Sequence, residues 1–173
     1  MAHETARNAD AGGKFQLETP ETLRAHCLED LAVGQVAERS RAVTAADLEA
    51  FAAVTGDDNP LHLDEAFAAA TPFGGRIAHG MLMAGYISAV LGADLPGHGS
   101  IYISQTLRFR RPVRINDLVK TRAEVVAIDR DRARVTLATV CAVAGKIVVE
   151  GEAEVLVPRR VAGEAAREPS GST

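Results

Sequence analysis

The sequence predicts an α+β fold, an antiparallel sheet wrapped around one central helix. From Ile77 to Leu91 apolar residues occupy every side of a helical projection, the pattern of a segment buried all round. After "LPGHGS" the period changes to two. Ile101, Ile103, Leu107 and Phe109 alternate with Tyr102, Ser104, Thr106 and Arg108, and similar alternation runs through 118–128, 133–143 and 146–157. The turns "DRDR" and "AGK" separate the last three runs, so the strands follow one another antiparallel. A buried helix and a series of long strands satisfy each other as two layers around one core.

The elements follow in order. The 173 residues suffice for one domain with a sizeable core. Residues 1–20 mix Ala, Gly, Asn, Asp and Glu without periodicity, and the chain ends in "GEAAREPSGST". Segments 1–27 and 159–173 are therefore expected to be loosely ordered around a single domain over 28–158. In "LEDLAVGQVAERSRAV" Gly34 marks a turn before a first strand. Thr44 opens a helix, with Asp47 three residues on as a capping-box partner. Leu48, Phe51, Ala52 and Thr55 recur at helical spacing, and Gly56 supplies a left-handed stop. Asn59 suits an N-cap with Pro60 as the first helical residue, and a short helix in "DEAFAAAT" stops at Pro72. Gly74 and Gly75 form a bend leading to the central helix.

Composition narrows the function classes. A net charge of −4 offers no global basic field for nucleic acid or an anionic membrane. Cys27 and Cys141 are too few for a disulfide framework or a CxxC metal site and read as free thiols in a reducing cytoplasm, Cys141 at an inward strand position. No basic n-region followed by an apolar stretch marks a signal peptide. "IAHGMLMAGYISAVLGADL" is apolar, but it is short, contains His79 and three glycines, and lacks basic anchors on both sides, so no membrane span is expected.

Three places carry candidate chemistry. "TGDDNPLHLD" sets Asp57, Asn59 and His62 in a bend beside a proline. Such residues commonly form a hydrated surface turn. A zinc site would need another His or Cys, and none lies within this loop. Alternatively, a carboxylate and an imidazole five positions apart can hold one water between them as an acid/base pair. In "RIAHGM", Gly80 at the start of the central helix reads either as an entry turn or as a bare first-turn amide able to meet a carbonyl oxygen. His79 beside it reads as structural, since nothing acidic or nucleophilic adjoins it in sequence. Arg108, Arg110, Arg111 and Arg114 read as a solvated strand face from which one or two could meet a nucleotide phosphate.

Taken together, "TGDDNPLHLDEAFAAATPFGGRIAHGMLMAGYISAVLG" and "GSIYISQTLRFRRPVRINDLV" resemble the MaoC-like, (R)-specific enoyl-CoA hydratases of the hotdog superfamily, over roughly Leu28 to Val157. D-x-N-P-x-H from Asp57 to His62, then H-G-M, then F-x-x-P-V from Phe109 to Val113 carry the resemblance. It implies a single hotdog unit around the helix Gly80 to Leu91, forming a homodimer or higher homo-oligomer. It implies Asp57 and His62 as the catalytic pair, Gly80 as the carbonyl-binding amide, Asn59 as a loop-shaping support, and Ser88 and Leu91 as acyl-pocket residues favouring a short chain. The implied reaction is reversible hydration of a trans-2-enoyl-CoA to an (R)-3-hydroxyacyl-CoA. It needs no metal and no cofactor, coenzyme A being part of the acyl-CoA substrate. Three alternatives share the fold: an acyl-carrier-protein dehydratase, a thioesterase, and a non-catalytic acyl-thioester-binding subunit.

Overall fold

Six strands form one antiparallel sheet, and a single long helix packs against one of its faces. The structure is a computed structural model and describes residues 26–160. Of the segments expected to be loosely ordered, residues 1–25 and 161–173 lie outside the described residues. The elements are β1 (Val36–Ala42), α1 (Ala45–Thr55), α2 (Pro60–Leu63), α3 (Glu65–Ala69), α4 (Gly80–Ala93), β2 (Ile101–Gln105), β3 (Arg108–Phe109), β4 (Leu118–Asp129), β5 (Arg134–Val143) and β6 (Lys146–Leu156). Across the sheet the order is β1–β4–β5–β6–β2, with β3 also pairing with β6.

Local sequence rules hold where the signal is local. The Thr44 hydroxyl accepts from the Asp47 amide, and the Asp47 carboxylate accepts from the Thr44 N–H, so the capping box closes as expected. Burial alone would push the Asp47 carboxyl up. Bonds from Thr44 and the neighbouring Arg41 guanidinium outweigh it and hold the group below the usual carboxylate range. Gly56 ends α1 at a φ of 77°, a left-handed value that costs glycine little. Asn59 caps α2 by accepting from the Leu61 amide, with Pro60 as its first residue. Ala144 and Gly145, both at positive φ, turn β5 into β6 in two residues.

The sheet was expected to continue unbroken from Ile101 to Phe109, but β2 and β3 are separate. At the break, the Thr106 carbonyl oxygen lies 1.8 Å from where a Cβ on Gly151 would stand. Only a residue without a side chain permits that approach, and the chain crosses β6 there before β3 resumes pairing. The cause is tertiary contact, which alternation along one strand does not encode.

Along β5, Val135, Leu137, Thr139 and Cys141 point inward with no exposed surface, the expected setting for Cys141. Val135, Leu137 and Cys141 share the main core with Met83, Ile87, Val90 and Leu91 of α4. Burying each such aliphatic side chain contributes about 1.5–3 kcal/mol. Cys141 is a free thiol, and both Cys141 and Cys27 are buried. Burial raises the Cys141 thiol above its usual range.

The expectation that α4 is buried on every side is corrected. Met81, Gly85, Ser88, Ala89 and Gly92 form an exposed stripe at helical spacing. One sheet covers one face of a helix, so hydrophobicity all round does not by itself bring burial all round. No helix among the described residues is long and apolar enough to cross a membrane.

Candidate active site

Four elements converge at the N-terminal end of α4. The left-handed end of α1 throws the chain into the loop carrying Asp57, and Pro60 turns it into the single turn of α2 that carries His62. The bend at Gly74 and Gly75 returns the chain through Ile77 and Ala78, where the Ala78 amide donates to Val113 at 2.7 Å. His79 and Gly80 then begin α4, and β3 brings Phe109 across from the sheet.

His62 is almost wholly buried, at 9% exposure. Its Nδ1 lies 2.8 Å from the Ile77 carbonyl oxygen, which can only accept, so Nδ1 carries the proton. Nε2 is thereby left as the basic nitrogen. A carboxylate oxygen of Asp57 and one ring nitrogen each of His62 and His79 lie within 4.8 Å of one another. That spacing admits one water between carboxylate and imidazole, the geometry of an acid/base pair.

A cleft of about 300 Å³ opens beside these groups. His62 and Gly80 line it, with Phe73, Phe109 and Arg111 among its outer walls, and Ile77, Met83, Val113 and Val149 giving it an apolar interior. Asp57 is exposed and does not itself line the cleft; it adjoins it through His62. Gly80 is the first residue of α4, so its amide has no acceptor within the helix and lies at the positive end of the dipole. The need for glycine here has a second cause that sequence did not disclose. A Cβ at this position would stand 2.9 Å from Cε1 and 3.0 Å from Cδ1 of the Phe109 ring.

The structure therefore brings Asp57, His62 and Gly80 together, with Asn59 capping the turn between the first two. It does not bring Ser88 and Leu91 to this cleft. They lie eight and eleven residues past Gly80, about 12 and 16 Å along the helix. Leu91 is 1% exposed and packs into the main core, while Ser88 lies on the outer stripe of α4. The apolar wall comes instead from Ile77, Met83, Val113 and Val149.

His79 supplies the third potential metal ligand that loop spacing could not reveal. Its Nε2 lies 3.0 Å from the Asp57 carbonyl oxygen and so donates to it. Its ring stacks on that of His62 with centroids 3.9 Å apart. With Nε2 donating to a carbonyl, Nδ1 is the unprotonated nitrogen of this ring.

The four arginines separate. Arg110 is bound to Glu150 at 2.6 Å. Arg114 donates to the Phe73 carbonyl and holds that loop. Arg108 stands outside the cleft lining. Arg111 lines the cleft, with one guanidinium nitrogen tied to the Ile147 carbonyl at 2.6 Å and no carboxylate partner among the described residues.

The sequence profile described as "MaoC like domain" matches residues 31–151, more than half of the chain and all of the site just described. The chain belongs to the MaoC-like domain family. It is 51% identical over 138 residues to a 3-hydroxybutyryl-CoA dehydratase of Methylorubrum extorquens, covering 80% of this chain and 88% of that protein. It is 48% identical over 135 residues to an (R)-specific enoyl-CoA hydratase of Rhodospirillum rubrum, covering 78% and 94%. An R-hydratase of Pseudomonas aeruginosa, solved in the unliganded form, superposes with a TM-score of 0.76 at 46% identity, covering 87% of this chain and 98% of that one. The MaoC-like unit is thus a hotdog, α+β as the sequence predicts.

Proposed function

We propose that this MaoC-like chain adds water reversibly to a trans-2-enoyl-CoA, giving an (R)-3-hydroxyacyl-CoA. The carrying observation is the Asp57 carboxylate within 4.8 Å of a His62 ring nitrogen, beside a cleft walled by Gly80, whose first-turn amide has no acceptor within its helix. Conjugation makes the β-carbon electrophilic, and attack by water there pushes an electron pair onto the thioester oxygen. The Gly80 N–H is placed to receive that charge; losing such a donor typically costs about 3 kcal/mol. Asp57 takes one proton from water as its oxygen bonds to the β-carbon. The proton taken from water then goes to the α-carbon on the same face as the thioester carbonyl re-forms, either from Asp57 directly or from His62 Nε2 after that nitrogen has taken it over from Asp57. Protons and electron pairs balance, so the reaction as proposed calls on neither a metal nor a redox cofactor.

The acyl chain would lie against Ile77, Met83, Val113 and Val149, and the pantetheine would leave past Arg111, whose donors beyond Nη1 have no partner among the described residues and suit a phosphate. The assembly we favour is a homodimer. β2 ends the sheet with Ile101, Tyr102 and Ile103 partly exposed, whereas β1 at the other edge carries exposed Glu38, Arg39 and Arg41. The buried free thiol of Cys141 is consistent with a reducing cytoplasm.

The test follows loss of enoyl-thioester ultraviolet absorbance with crotonyl-CoA. Asp57→Asn should lower turnover by about 10²–10⁴-fold, the range of general acid–base groups, while keeping the wild-type melting temperature. Near-normal turnover by that variant would remove Asp57 from the reaction. Release of free thiol without loss of the double bond would point to thioester hydrolysis instead.

A further inference from the structure

We propose that His79 is a positioning residue of the hydratase site, holding the loop of Asp57 and the ring of His62 in register with the Gly80 amide. The proposal rests on the functional reading above and adds to it a group whose sequence surroundings suggest only a structural role.

His79 is 1% exposed and stands as the N-cap residue of α4, directly before Gly80. An N-cap side chain normally turns back to its own helix, yet this one makes no capping bond. Its Nε2–H reaches instead across 22 residues of sequence to the Asp57 carbonyl oxygen at 3.0 Å. One face of its ring meets His62 at a centroid distance of 3.9 Å, and Phe51 of α1 packs on the ring at 4.8 Å. One imidazole thus touches α1, the catalytic loop and α2 while being part of α4.

A space-filling role explains the stacking but not the hydrogen bond. Apart from the bond its N–H donates to the Thr55 hydroxyl at 3.2 Å, the main chain of Asp57 belongs to an exposed loop, and misplacing a catalytic group by 1 Å can cost about 10²-fold in rate. The donor function also requires a particular charge state. Nδ1 is buried with no partner among the described residues, so a proton there would have no acceptor. Burial presses the His79 protonation below the ordinary histidine range, and the His62 ring adds to this against the opposing pull of the Asp57 carbonyl and carboxylate. His79 is therefore a neutral imidazole with its single proton on Nε2, directed at the loop.

Two substitutions separate donor from filler. His79→Phe keeps an aromatic ring between Phe51 and His62 and removes the donor. His79→Gln places an amide N–H near the former Nε2 and removes the ring. The expected result with crotonyl-CoA is about a 10²-fold fall in kcat for His79→Phe, with KM within a few-fold and the melting temperature maintained, and recovery of at least tenfold of that loss in His79→Gln. Wild-type kcat in a folded His79→Phe protein, or equal loss in both variants, would overturn the proposal. A second measurement needs no variant and no turnover. Two-dimensional ¹⁵N spectra of histidine-labelled wild-type protein should show His79 as the neutral Nε2–H tautomer at pH 6, below the ordinary histidine pKa of about 6.5. The Nδ1–H tautomer or a charged ring would overturn it. Absence of wild-type turnover would count against the functional reading, and the tautomer would still decide the role of His79.

Discussion

At the scale of single residues, the proposed site depends on a few groups that are each ordinary alone. A carboxylate, an imidazole and a helix-first amide gain function from lying together. Gly80 shows how a residue can be required for two reasons at once. Gly80→Ala would drive a methyl into the Phe109 ring and disturb the approach to the amide. Phe109→Ala removes the first problem only. The double variant should therefore regain the melting temperature lost by Gly80→Ala while its turnover stays low; recovery of turnover with stability would show that only packing demands glycine. Arg111 gives a separate prediction, because its proposed partner is the phosphate end of coenzyme A. Arg111→Glu should raise KM for crotonyl-CoA about tenfold or more and leave kinetics with crotonyl-pantetheine, which lacks those phosphates, unchanged. Equal effects on both substrates would place Arg111 away from the phosphates. That Asp57 and His62 lie close together was legible in the sequence because five positions and a proline separate them, whereas their grouping with Gly80 came through the family resemblance. The role proposed for His79 was not legible, since its partners lie 17 to 28 residues away and only folding brings them to its ring.

At the scale of elements, what could be read was what neighbours decide. The Thr44–Asp47 capping box, the Gly56 stop and the Asn59–Pro60 start form where the chain spells them, because each is a bond across two or three residues. The separation of β2 from β3 was hidden because Gly151 meets Thr106 only across the sheet. The outer stripe of α4 was hidden for a related reason: an apolar pattern states what could be buried and not what is present to cover it. β2 carries the element-scale prediction. If its free edge pairs with a second copy, Ile103→Lys should shift the light-scattering mass from dimer to monomer with strand content retained. An unchanged mass would move the interface elsewhere.

At the scale of the whole molecule, the hotdog architecture serves the chemistry by placing a helix N-terminus at the rim of a sheet. The core around Met83, Ile87 and Leu91 fixes α4, and the elements before it fold back so that their polar ends meet its first amide. In the proposed reaction, a water held between Asp57 and His62 delivers both of its parts to one face of the enoyl double bond while the thioester carbonyl is turned toward Gly80. The most direct test is hydration of crotonyl-CoA in deuterium oxide, followed by assignment of configuration at both new centres. The account predicts the (R) alcohol at the β-carbon with deuterium and hydroxyl added to the same face. An (S) alcohol, or addition to opposite faces, would contradict it.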